Sequence, residues 1–210
     1  MNREEIQFDI LSEFFNISVG KAAEALSEIV GKRIFLQIPH ISVLDTAEKK
    51  EKYDGELTGV WKGTLMVSSI SFGDRISGVV NMIFPADKIR LFVQLCAGED
   101  FTPLAEDADF TDVDFDVIRE IGNIVLNSII GGLGNLLQIE LSYELPVVKV
   151  YDRVDFHRDI ELKKYQSVLI LSINFIVEDT EIECTVVLEL TFGSFELIKQ
   201  IVDKLEAELT

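Results

Sequence analysis

"DVIREIGNI" (residues 116–124) lies 107 positions after "DILSEFFNI" (9–17) and repeats its Asp, Glu, Asn and final Ile at the same places. The same shift lays "PVVKVYD" (146–152) on "PHISVLD" (39–45), which share Pro, Val and Asp. A shift of 106 lays "EIECTVVLEL" (181–190) on "RISGVVNMIF" (75–84), and each is followed by an amphipathic helical pattern. Self-similarity on this scale fixes the architecture before any single motif does. The chain reads as two copies of one unit, residues 1–98 and 112–210, joined by an acidic linker, 99–111.

Periodicity gives each unit its elements. Ile6, Ile10, Phe14, Ile17, Ala25 and Ile29 recur with helical spacing and stop near Gly31; residues 113–130 repeat the pattern and meet Gly131 and Gly132, read as a C-cap and a point of tight packing. "KRIFLQIPHISVL" and "IELSYELPVVKVY" are β-branched and partly alternating, so Pro39 and Pro146 are expected on an edge or a strand irregularity. Two hairpins follow, turning at Gly73-Asp74 and at Glu178-Asp179-Thr180. The lysine-rich loop 46–56 and the stretch 153–164 occupy equivalent places and are expected to leave the sheet as variable insertions. The expectation is an α+β layered fold, a helix-strand-hairpin-helix unit used twice. The strands would share one mainly antiparallel sheet with pseudo-twofold symmetry, with helices packed on it.

Charge narrows the partners. The 210 residues include 37 acids against 19 bases, a formal charge of −18. That repels phosphate backbones and anionic lipid, and the densest basic stretch, "EKKEK" (48–52), is neutralised by its own glutamates. Neither nucleic acid nor a membrane surface is expected as a partner. Cys96 and Cys184 form no C-x-x-C pair, the two histidines, His40 and His157, have no ligand-like spacing, and no metal site is expected. The acidic start "MNREEIQFDI" and the lack of a long apolar run point to a cytoplasmic chain.

At 100° per residue Asp9, Glu13 and Asn16 share a narrow sector of their helix, as do Asp116, Glu120 and Asn123. A water-facing helix side has no need of Asn, a middling helix former, at the same offset twice. Both copies read Asp-x3-Glu-x2-Asn-x22-Pro, ending at Pro39 and Pro146. Four such fixed matches arise by chance at on the order of one in 10^5 starting positions. This doubled signature resembles the CheC-type chemotaxis phosphatases, a family including CheC, CheX and the flagellar-switch protein FliY, and the likeness runs over essentially the whole chain.

The resemblance implies an enzyme whose substrate is the phosphorylated aspartate of a CheY-like response regulator. It implies that Asn16 and Asn123 orient the attacking water and that Glu13 and Glu120 anchor each helix on the regulator's active-site lysine. Asp9 and Asp116 would touch the partner's loops or simply favour the positive end of the helix dipole. This chain would hold no cofactor of its own, Mg²⁺ being carried by the regulator. The alternative is a non-catalytic adaptor that binds CheD or the phosphorylated regulator. A monomer is expected, because one chain already contains both repeats. Gly122, beside Asn123, is expected to let the partner's backbone approach closely, where Phe15 in the first copy would hinder docking or add an apolar contact.

Overall fold

In the computed structural model, which describes residues 3–45, 64–97, 110–152, 167–177 and 180–209, the chain opens with helix α1, Arg3–Val30. It stops where the sequence predicts: Gly31 takes φ +71°, open to a residue without Cβ, and its N–H donates to the Ser27 carbonyl at 2.9 Å. Strand β1 (Ile34–Asp45), the hairpin β2 (Thr64–Gly73) and β3 (Gly78–Pro85), and helix α2 (Ala86–Ala97) complete the first half. The second half repeats the order with α3 (Asp112–Leu137), the short β4 (Ser142–Tyr143), β5 (Val147–Asp152), β6 (Ser167–Val177), β7 (Thr180–Leu190) and α4 (Phe192–Leu209).

All strand pairs are antiparallel and run in the order β1-β6-β7-β3-β2, with β4 and β5 both paired to the far side of β2. Exchanging β1 with β5, β2 with β6 and β3 with β7 leaves that order unchanged when read from the other end. The two halves meet at the centre, where β3 pairs β7 from Gly78 opposite Leu190 to Ile83 opposite Thr185. Both prolines of the repeated signature fall at irregularities in outer strands. Ile38 and Pro39 together oppose the single Ile173, and Glu144, Leu145 and Pro146 oppose only Ile70 and Ser71. Each outer strand therefore carries one extra residue where proline has no N–H to offer the ladder.

One apolar cluster gathers all four helices onto one face of the sheet. It includes Phe15 and Leu26 of α1, Ile89 and Phe92 of α2, Ile121 and Val125 of α3, Ile198 and Val202 of α4, and Met66, Val80, Met82, Leu171 and Val186 of the strands. A smaller cluster, with Val67, Ile83, Val168 and Val187, occupies the opposite face. There Asn81 accepts from Ser69 Oγ at 2.7 Å and donates to the buried Glu189 carboxylate at 2.8 Å, so the polar atoms of three adjacent strands satisfy one another.

Two sequence expectations change. The buried face of α1 is Leu11, Phe15, Val19, Ala22, Ala23 and Leu26, whereas Ile17 and Ile29 are exposed and Ile10 and Phe14 only partly buried. The helix is apolar on more than one side, and recurrence alone picks the wrong stripe. Helix α3 runs through Gly131 and Gly132 to Leu137, and its C-terminal turn is closed by Gln138 in the left-handed region, with Ile139 N–H donating to Gly134 O at 2.9 Å. Gly132 keeps the tight-packing half of its expected role: a Cβ there would stand 2.1 Å from Ser18 Oγ of α1.

Helix α3 opens at Asp112, directly after the stretch expected as linker. Thr111 is the N-cap of α3 in a reciprocal capping box with Asp114, and Phe110 packs edge-on against Phe115 across that first turn while Arg90 of α2 lies over its ring. The rest of the expected linker, the two insertions, Trp61, His157 and the Glu178-Asp179 turn lie outside the described residues.

Candidate functional site

The six signature residues are set by two helices that meet on the same face of the sheet. Asp9, Glu13, Asp116 and Glu120 are exposed, and Asn16 and Asn123 are half-buried. Each helix thus presents a carboxylate to solvent one turn before an amide sunk partway into its surface. Gly132 marks where α3 meets the α1 turn containing Ser18, and Asn123 lies nine residues earlier, about 13 Å of helical rise. The stripes are two positions and do not pool into one.

The amides are held differently. Asn16 Oδ1 accepts the backbone N–H of Ile38 at 2.9 Å, at the β1 irregularity beside Pro39. The bulge turns this N–H away from the ladder, and the side chain of α1 satisfies it. This gives the spacing of Asn to Pro in the first copy a structural cause. Asn123 Oδ1 instead accepts from Asn127 Nδ2 at 2.8 Å, one turn further along α3. Asp116 pairs with exposed Arg119, a surface ion pair of little energetic weight.

Gly122 and Phe15 are not where the sequence reading put them. Both side-chain positions point into the fold. Phe15 is fully buried, and a Cβ on Gly122 would stand 2.1 Å from Ser68 Oγ and 2.7 Å from Ser68 Cβ of β2. Gly122 seats α3 closely on the sheet, and neither residue faces a docking partner. The apolar surface beside the stripes comes from elsewhere: Ile17, directly after Asn16, and Leu145, directly before Pro146, are exposed.

Sequence reading also missed Asn127. The signal was there, since Asn127 lies four residues after Asn123 and within the same narrow sector of the helix. The Ile38 N–H had no signal of its own, because a backbone donor is exposed by strand register, which the sequence does not state. Cys184 is buried and desolvation pushes its thiol well above the usual range, which makes it a packing residue and a poor nucleophile. Phe72 is buried and His40 is exposed. Among the described residues, no three His, Cys, Asp or Glu side chains form a metal-holding group, and no helix is long and apolar enough to cross a membrane.

No protein-family model matches the chain. Over 148 residues it is 26% identical to the CheY-P phosphatase CheC of Bacillus subtilis (strain 168), a match spanning 70% of this chain and 68% of that protein. In sequence the chain is thus similar to a CheC protein, of the family that the doubled signature resembles. Among solved structures, FliY of Thermotoga maritima superposes with a TM-score of 0.72 over 97% of this chain and 96% of its own, at 17% identity. The middle domain of FliM from H. pylori gives 0.67 over 95% and 99%, at 8% identity. At such identities it is the fold that is shared.

Proposed function

We propose that this CheC-type chain hydrolyses the aspartyl phosphate of a CheY-like response regulator, with α1 and α3 each carrying a site. The observation that carries the reading is the doubled geometry: an exposed carboxylate one turn before a half-buried amide whose carbonyl oxygen is already fixed by one donor. Phosphoryl transfer asks a protein chiefly for positioning and charge compensation. Glu13 or Glu120 pairs with a lysine of the regulator and seats the helix. The amide of Asn16 or Asn123 then has one oxygen lone pair left to accept from a water and two Nδ2 protons to give to phosphoryl oxygens. The water oxygen bonds to phosphorus as the bond to the aspartyl oxygen breaks. Inorganic phosphate leaves as dihydrogen phosphate, carrying the water's oxygen and both of its protons, and the regulator's carboxylate is restored.

Mg²⁺ bound by the regulator would shield the phosphoryl charge, and this chain would supply no metal. Asp9 and Asp116 lie one turn nearer the helix N-termini, where they would meet the regulator's loops. The test is a time course of a phosphorylated CheY-like regulator in Mg²⁺ with and without the protein. The wild type is expected to accelerate phosphate release, and Asn16→Ala with Asn123→Ala to abolish that acceleration while the complex still forms. Equal decay with wild type and double variant would overturn the reading.

A second reading has one observation in its favour: the Ile38 bond gives Asn16 a structural task without any chemistry. In that reading the chain is an adaptor that holds the phosphorylated regulator, or CheD, and does not turn it over. Stable capture of either with no change in phosphate release would support it.

A further inference from the structure

Asn127 is an uneconomical residue where it stands. Its Oδ1 is buried with no hydrogen-bond partner among the described residues, while its Nδ2 donates to Asn123 Oδ1. Asn is a middling helix former, and an orphaned buried acceptor costs stability. An aliphatic residue would serve the helix better. Its counterpart in the first half, 107 positions earlier, is Gly20, which is exposed, would have nothing among the described residues within 4 Å of a Cβ, and has no side chain to offer Asn16. There the Ile38 N–H does the holding. The two amides thus receive the same fixture, one N–H donor on Oδ1, from unrelated sources.

We propose that Asn127 is the positioning residue of the second site, holding the Asn123 carboxamide in the orientation that the β1 backbone imposes on Asn16. The inference rests on the phosphatase reading for its consequence and on the Asn127–Asn123 bond for its mechanism. With Oδ1 pinned along the helix, the amide cannot rotate freely about its last side-chain bond. Its remaining lone pair and its Nδ2 protons then keep fixed directions towards a docked phosphoryl group. The first site needs no such residue, and a change at 127 leaves it intact.

Two measurements test this. The first uses Asn16→Ala chains, in which only the second site remains, and follows decay of a phosphorylated CheY-like regulator in Mg²⁺. Adding Asn127→Asp, which matches Asn in shape but cannot donate to Oδ1, should lower kcat on the order of 10-fold or more with KM changed less than about twofold. Asn127→Gln keeps a donating amide within reach and should hold kcat within about threefold of the parent. In chains with Asn16 intact, Asn127→Asp should leave the first site's share of the activity. The second measurement needs no activity: NMR relaxation of the Asn123 side-chain amide, assigned by its loss in Asn123→Ala. The amide should be rigid in the wild type and fall to an order parameter below about 0.6 in Asn127→Ala. An amide equally rigid without Asn127, or an Asn127→Asp chain as active as its parent, would overturn the proposal. An inactive Asn16→Ala parent with a rigid, Asn127-dependent amide would sink the phosphatase reading for this site and leave the positioning role standing.

Discussion

At Asn16 the bond from Ile38 N–H to Oδ1 ties α1 to the bulge of β1, so this side chain serves the fold whatever it does in chemistry. Asn123 has no such tie to the sheet among the described residues; its fixed partner is Asn127 on its own helix. The two alanine variants should therefore differ in stability. Asn16→Ala leaves a part-buried backbone donor without its acceptor and is expected to cost about 1–2 kcal/mol. Asn123→Ala trades Asn for the best helix former and is expected to cost less than about 0.5 kcal/mol net. Urea unfolding midpoints compared at equal slope decide it, and equal losses would show that the Ile38 bond carries no weight. The site's residue types were legible in the sequence because acid and amide recur at one spacing. The holding groups were not, because one is a backbone N–H freed by register and the other looked like an ordinary polar residue of the helix.

Between elements, Gly122 shows how a correct residue can be given the wrong neighbour. Its missing side chain does signal close approach, as the sequence suggested, but the approaching group is Ser68 of β2 and not a partner. Sequence periodicity fixes spacing along a helix and leaves its rotation open, so a helix apolar on more than one side hides which side is seated. The seat makes a definite demand. A Cβ at 122 would stand 2.7 Å from Ser68 Cβ, an atom that cannot swing aside, so α3 itself must shift. Gly122→Ala gains about 1 kcal/mol in helix propensity and loses about 1–3 kcal/mol to overpacking, and a net loss of up to about 2 kcal/mol is expected. Combining it with Ser68→Gly should recover part of that loss, a coupling of about 1 kcal/mol in a double-mutant cycle, whereas strict additivity would mean that the helix does not sit on Ser68. The hairpins and the proline irregularities were legible for a different reason. They rest on local alternation and on an N–H that proline lacks, and neither depends on how helices turn.

For the molecule as a whole, the order of elements recurs in the two halves, but they do not have separate interiors. A single apolar cluster takes Phe15 and Leu26 from the first helix together with Leu171, Val186 and Ile198 from the second half. The β3–β7 ladder at the centre of the sheet joins the halves through backbone hydrogen bonds. Side chains reinforce the join: Gln7 of α1 donates to Asp203 and Glu206 of α4, and the Ser77 N–H donates to Ser194 Oγ at 2.9 Å at the start of α4. Three strands with two helices expose too much of this shared surface to be stable when cut away from the other half. The expected consequence is one cooperative transition for the whole chain. Leu26→Ala, in the first half, removes a buried side chain at about 2–5 kcal/mol, and Ile198→Ala does the same in the second. Each should displace the same urea transition, seen identically by far-ultraviolet circular dichroism and by amide exchange of strands in both halves. A biphasic curve in which Leu26→Ala moves one phase and Ile198→Ala the other would show two domains that merely share a sheet edge.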